Sequence, residues 1–156
     1  MTQPKLARDI MVDRVVTLRP DMDMFEAIGL LLKHRISGAP VVDADGTFIG
    51  VFSEMSCLRM LVKAAYEQLP TTQLFAFVET DAETIDEDTD LLTIAQRFLS
   101  TETRRLPVLS DGKLIGQISR RDVLSAAHSL MAVAPDHGTD LLYLSSTRDR
   151  SEVPIG

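Results

Sequence analysis

Apolar and polar positions along the chain fall into two successive passes of one pattern. The first pass opens on a short β-rich run, Val15-Val16-Thr17-Leu18. Acidic residues then flank a helix start, Asp21 and Asp23 in the first pass, Asp88 and Asp90 in the second. Carboxylates suit that place because the first N–H groups of a helix are unpaired and its dipole is positive there. Met24, Phe25, Ala27, Ile28, Leu30, Leu31 and Leu32 predict a helix with a broad apolar face. Leu91, Leu92, Ile94, Ala95, Phe98 and Leu99 predict its counterpart. A strand led by proline follows each helix, at Pro40-Val41-Val42 and Pro107-Val108-Leu109. Proline suits a first position because its nitrogen has no proton for the ladder. Asp45-Gly46 and Asp111-Gly112 mark hairpin turns. Strands over 47–52 and 113–118 then run directly into second helices starting near Glu54 and Arg120. The predicted order is β-α-β-β-α, twice, in an α/β fold.

The two passes are an internal duplication. An offset of 67 residues lays Thr17 on Thr84, Asp21 on Asp88, Asp23 on Asp90 and Pro40-Val41 on Pro107-Val108. One residue is then dropped, and an offset of 66 lays Asp45-Gly46 on Asp111-Gly112, Ile49-Gly50 on Ile115-Gly116 and Ser53 on Ser119. This gives a first repeat over 7–68, a joint at 69–77, a second repeat over 78–133 and a tail over 134–156. A unit of about 60 residues buries too little of its surface to be secure alone. The repeats are therefore expected to pack on each other with pseudo-two-fold symmetry, which generates two related clefts.

Composition narrows the function classes. The 156 residues are 45% apolar and 25% charged, enough for a sizeable core. A formal net charge of −7 disfavours nucleic acid and anionic lipid as partners. No apolar run reaches the length of about 18 residues that a membrane span needs. The start, Met1 to Met11, has no hydrophobic signal core, so a cytoplasmic protein is expected. One cysteine, Cys57, cannot pair within the chain and reads as a small buried residue. His34, His128 and His137 have no metal-ligand spacing, and no metal or catalytic cofactor is expected. No phosphate-loop or nucleophile-elbow motif appears, which argues against an enzyme. Residues 79–90 hold seven acids and no base, and the rest of the chain balances 16 acids with 16 bases. That cluster reads as a solvated face.

Several runs carry a family resemblance. They are Asp9-Ile10-Met11, Val16-Thr17, Ala27, His34 to Asp43 (His-Arg-Ile-Ser-Gly-Ala-Pro-Val-Val-Asp) and Gly50-Val51-Phe52-Ser53. Arg105-Leu106-Pro107-Val108 and Gly116 to Leu124 (Gly-Gln-Ile-Ser-Arg-Arg-Asp-Val-Leu) repeat the pattern. The chain resembles, over about 7–133, a tandem pair of cystathionine-β-synthase (CBS) domains. The resemblance implies a regulatory module that often dimerises through the second helix of each repeat. It also implies an adenosine-containing ligand, AMP, ADP, ATP or S-adenosylmethionine, held between the copies.

The residues themselves allow two readings of Gly116-x-x-Ser119-x-x-Asp122. Ser119 can cap the helix while Asp122 complements its dipole. Alternatively, the free helix start favours a phosphate, Arg120 and Arg121 add cationic donors, and Asp122 accepts from both hydroxyls of a ribose. The resemblance favours the second reading. It also implies an adenine pocket from backbone near Arg8 and Asp9, from Asp13, and from Ile36, Ser37, Gly38, Ala39 and Pro40.

The other cleft departs from this pattern. Ser56 stands where the second repeat has Asp122, and Glu54 and Met55 replace the two arginines. Ser53 and Ser56 face an opposite wall, Arg104-Arg105, that is bulky where the first repeat has Ser37-Gly38. A degenerate second cleft, weak or empty, is expected.

The apolar and small residues of the second helices, 60–65 and 123–127, predict packing and a homodimer. In the tail, 134–138 reads as a linker, and Asp140-Leu141-Leu142-Tyr143-Leu144-Ser145 is too apolar to be left in water. The chain thus reads as a sensor that binds an adenine nucleotide and changes its contacts with a protein effector. A ligand-free interaction and dimerisation module, and a nucleotide hydrolase, are the rivals.

Overall fold

Two aspartates start the helices that precede each hairpin. Asp23 caps α2 (Met24–His34) by accepting from the Phe25 N–H at 2.8 Å. Asp90 caps α4 (Leu91–Ser100) by accepting from the Thr93 N–H at 2.8 Å. The computed structural model describes residues 5–68 and 71–133. Leu69 and Pro70 of the expected joint, His137, and the tail with its 140–145 run and Arg148 and Arg150 lie outside the described residues. The remaining elements are α1 (Ala7–Ile10), β1 (Gly38–Val42), β2 (Phe48–Ser53), α3 (Glu54–Tyr66), a 3-10 turn (Leu74–Phe77), β3 (Ile85–Asp86), β4 (Arg105–Ser110), β5 (Lys113–Ser119) and α5 (Arg120–Val133). Strand-to-helix passage without a loop, expected at Glu54 and Arg120, occurs at both places.

Two compact units form, and each has its own core. The first-repeat unit comprises 14–82 with 111–114, the second-repeat unit 5–13, 83–110 and 115–133. In the first unit, β1 and β2 pair antiparallel, and Leu18, Ala27, Leu31, Val41, Phe52 and Leu74 are buried together. In the second, the sheet order is β3-β4-β5, and Ala7, Ile85, Ile94, Phe98, Leu106, Val108 and Ile118 form the core. The 67-residue offset extends to the lead-in segments: Ala7–Ile10 aligns with Leu74–Phe77. Each lead-in is buried with the opposite repeat, Ala7 among second-repeat residues and Leu74 among first-repeat residues.

The prolines behave differently from expectation. Pro40 and Pro107 are the third residues of β1 and β4, not the first. Leu18 makes one parallel bridge to Val41, donating to the Pro40 carbonyl at 2.9 Å and accepting from the Val42 N–H at 3.0 Å. Extending that ladder backwards to Val16 requires an N–H at position 40, which proline lacks. The predicted strand at Val15–Leu18 is therefore only a bridge, and β3 starts no earlier than Ile85, opposite Val108. Both prolines thus sit inside a strand on a side where pairing stops.

The hairpin turns also separate the repeats. Asp111 and Gly112 both have positive φ, 51° and 78°, and form the whole connection between β4 and β5. That is the signature of a type I′ turn. The first repeat has one residue more. It takes up the insertion with an irregularity between Val41 and Val42 and with a longer loop, in which Asp43 accepts from the Asp45 and Thr47 N–H groups.

Candidate functional site

Strand β5 delivers Ser119 to the first residue of α5, and the local chain closes a reciprocal cap. The Asp122 N–H donates to Ser119 Oγ at 3.2 Å, and the Ser119 N–H donates to Asp122 Oδ2 at 2.8 Å. This arrangement fixes the carboxylate over the helix start. Among the described residues no hydrogen bond reaches Asp122 Oδ1. Ser119 and Asp122 are half-buried, while Arg120 and Arg121 are exposed. Arg120 donates to the Thr103 carbonyl at 3.2 Å, which holds its guanidinium toward the loop before β4. An oriented carboxylate with an uncommitted oxygen, beside a helix start and two cations, suits a polyol attached to an anion.

Two backbone features prepare this hinge. Val12 pairs antiparallel with Gln117 on β5, with both N–H···O bonds at 2.9 Å. Gly116 leaves room for Met11: a Cβ there would lie 2.5 Å from the Met11 sulfur.

The first repeat repeats this construction with other side chains. Ser53 and Ser56 cap α3, with the Ser56 N–H donating to Ser53 Oγ at 3.3 Å and the Ser53 N–H to Ser56 Oγ at 3.4 Å. Glu79 pairs with Val51 as Val12 pairs with Gln117. Gly50 leaves room for that segment, since a Cβ would lie 2.3 Å from the Glu79 carbonyl oxygen. The Glu79 carboxylate then reaches the hinge, accepting from Ser56 Oγ at 3.5 Å and from Arg59 at 3.0 Å. Ser56 is buried, at 5% exposure.

The expected site residues distribute as follows. Arg8, Asp9 and Asp13 are exposed and belong to the second-repeat unit together with Ser119, Arg120, Arg121 and Asp122. Two of their side chains are already engaged: Arg8 pairs with Asp88, and Asp9 accepts from the Leu6 N–H at 2.9 Å. Ile36, Ser37, Gly38, Ala39 and Pro40 belong to the first-repeat unit. Ala39 and Pro40 are buried, and Ile36 to Gly38 are half-buried. Ser53 and Ser56 lie in the first-repeat unit, whereas Arg104 and Arg105 lie in the second.

Two expectations need correction. The acids of 79–90 are not merely a solvated face. Glu79 meets Arg59, Glu83 meets Arg97, Asp88 meets Arg8, Glu87 accepts from Ser110, and Asp90 caps α4. Cys57 is half-buried instead of buried; burial nonetheless pushes its thiol up from the ordinary value, and Glu54 adds to the rise. The second helix of the first repeat, α3, exposes Met55, Leu58, Leu61, Val62 and Tyr66.

Glu79, Arg59 and Val12 did not stand out in the sequence. The signal was present, because the 67-residue offset that aligns the repeats also lays Val12 on Glu79. Among the described residues there is no cluster of three or more metal-ligating side chains, and no helix is long and apolar enough to cross a membrane.

Comparison with known proteins agrees with this duplicated architecture. The CBS domain family matches twice, at residues 7–63 and 74–129. The chain is 32% identical over 136 residues to a CBS domain-containing chloroplastic protein, CBSX1 of Arabidopsis thaliana, covering 70% of this chain and 58% of that one. It is 29% identical over 121 residues to inosine-5'-monophosphate dehydrogenase of Methanocaldococcus jannaschii, covering 77% of this chain and 23% of the enzyme. The crystal structure of CBSX2 of Arabidopsis thaliana in complex with AMP superposes with a TM-score of 0.70 at 29% identity, covering 80% of this chain and 96% of that chain. The chain spans about half the length of the curated relatives it matches first, between 41% and 58%.

Proposed function

We propose that this chain, which belongs to the CBS-domain family, is a regulatory module that binds an adenosine ligand at the Ser119–Asp122 hinge. The observation that carries the reading is the Asp122 carboxylate, oriented by the cap through one oxygen while the other has no partner among the described residues. The ribose hydroxyls would donate to that oxygen, and the phosphate would lie at the start of α5 beside Arg120 and Arg121. The complex of CBSX2 with AMP supports an adenosine ligand of this kind. From the family resemblance, the backbone near Arg8 and Asp9, with Asp13, is assigned to the base.

Some relatives of this chain are enzymes that carry CBS domains, and here the matched residues are the CBS pair alone. The reading is therefore regulatory: ligand favours one arrangement of the repeats, and a protein effector senses the change. It includes a homodimer through α3, where Met55, Leu58, Val62 and Tyr66 recur along one exposed face. The ligand-free alternative draws on the same cap, since Ser119 and Asp122 already satisfy each other.

A thermal-shift series with AMP, ADP, ATP and S-adenosylmethionine tests the reading. A ligand at 100 times its dissociation constant adds about 2.7 kcal/mol to stability. At least one of the four is expected to raise Tm in the parent chain and to raise it clearly less in Asp122→Ala. No rise with any of them supports the ligand-free module. Sedimentation of Leu58→Glu beside the parent tests the dimer, with a monomer expected for the variant.

A further inference from the structure

The two hinges hold their acids in opposite places. In the second repeat the carboxylate stands in the first turn of the helix, Asp122, and the lead-in residue opposite is Val12. In the first repeat the helix has Ser56, and the lead-in residue at the matching ladder position is Glu79. We propose that Glu79 is an internal occupant of the Ser53–Ser56 hinge that closes it to a nucleotide, so the module binds its ligand at one hinge only. The inference rests on the reading of Ser119–Asp122 as the ligand-binding hinge.

Hydrogen-bond accounting supports an occupant over a mere loss of the aspartate. Ser56 has one hydroxyl proton, already within reach of two acceptors, Ser53 Oγ at 3.3 Å and Glu79 at 3.5 Å, while its oxygen accepts from the Ser53 N–H at 3.4 Å. At 5% exposure, Ser56 has little surface to offer a ribose hydroxyl. The same Glu79 oxygen also accepts from Arg59 at 3.0 Å, so the nearest cation at this hinge is already neutralised. An incoming phosphate would meet the carboxylates of Glu79 and Glu54 where the second repeat offers Arg120 and Arg121. Glu79 cannot easily be pushed aside by its backbone. It is held to Val51 by N–H···O bonds of 3.0 and 2.9 Å, and Gly50 lies beneath it.

The contrary possibility is that Glu79 itself serves as the ribose carboxylate of the first repeat. Its shared bonding to Ser56 and Arg59 argues against that, and the experiment separates the two. Binding of AMP is measured by titration calorimetry in an Asp122→Ala background, with Ser56→Asp alone and with Ser56→Asp plus Glu79→Val, which recreates the second-repeat pair. The proposal expects Ser56→Asp alone to bind AMP no more tightly than the Asp122→Ala chain. With both substitutions it expects recovery to within about threefold of the parent dissociation constant. Tighter binding with Ser56→Asp alone, or no gain over the Asp122→Ala chain with both, overturns it.

A second measurement needs no change at the buried Ser56. The amide NMR signals of Ser53 and Ser56 are followed during AMP titration of the parent and of Glu79→Val. They are expected to stay in place in the parent and to move in the variant; movement in the parent, lost in the variant, makes Glu79 the ligand's carboxylate and overturns the proposal. A parent chain that binds no AMP would sink the Ser119–Asp122 reading instead, and recovery by the paired substitutions would still judge Glu79.

Discussion

The two strand-to-helix hinges of this molecule share a backbone and differ in who supplies the negative charge. At Ser119–Asp122 the acid lies within the helix that it caps and is held by one N–H at 2.8 Å. At Ser53–Ser56 the capping bonds are longer, 3.3 and 3.4 Å, and the acid arrives from a separate segment with Arg59 attached. A duplicated fold thus keeps its ladder positions, glycines and caps while the chemistry at one copy diverges. A backbone can be conserved by packing alone, because Gly50, Val51 and the lead-in must still fit together. The side chains at the hinge are under no such demand.

The largest expected effect concerns the paired glycines. At Gly50 an added Cβ meets a carbonyl oxygen of the Glu79 backbone, which is held in a ladder. At Gly116 the closest atoms belong to the flexible Met11 side chain. Gly50→Ala should therefore cost about 3 kcal/mol, the upper part of the usual range for overpacking, and Gly116→Ala clearly less. Urea denaturation of the two variants checks the order, and equal losses would break the comparison. Next come the caps. Ser119→Ala and Ser53→Ala each remove a hydroxyl that accepts one helix N–H, at 3.2 and 3.3 Å, and each should cost about 1 kcal/mol. Thermal unfolding would show each loss as a shift in Tm, and clearly unequal shifts would break the likeness of the two caps.

The smallest effect is chemical. The Cys57 thiol, pushed up by burial, stays protonated at neutral pH and should react with iodoacetamide more slowly than a free thiol. The rate should climb only as pH passes above the ordinary thiol range. Because the folded state holds that proton more tightly, this contribution to stability is complete below the unfolded thiol's pKa. It is lost as pH rises through the folded value.

Most of the fold was legible because duplication doubles every signal. Helix starts at Asp23 and Asp90, and the passage into α3 and α5, lay where capping residues and apolar periodicity placed them. The strand at Val15–Leu18 was misread because β propensity is local, whereas the missing donor is Pro40, more than 20 residues further on. Pairing of the lead-ins with the opposite repeat was equally hidden, since no local pattern records which core will receive Ala7 or Leu74. At the candidate site, Ser119 and Asp122 were readable from spacing and resemblance. Glu79 was not, because it was counted within a run of seven acids and not as the partner of Val51. Charge along a sequence tells little about which acids will find a donor.

The central claim is asymmetry: one hinge for ligand and one closed. Titration calorimetry of AMP against the parent chain, Asp122→Ala and Ser56→Ala tests it most directly. The account predicts one AMP per chain, a loss of affinity of at least about tenfold in Asp122→Ala, as expected for removing a charged hydrogen-bond acceptor, and no change in Ser56→Ala. Two equivalent sites per chain, or undiminished binding in Asp122→Ala, would contradict it.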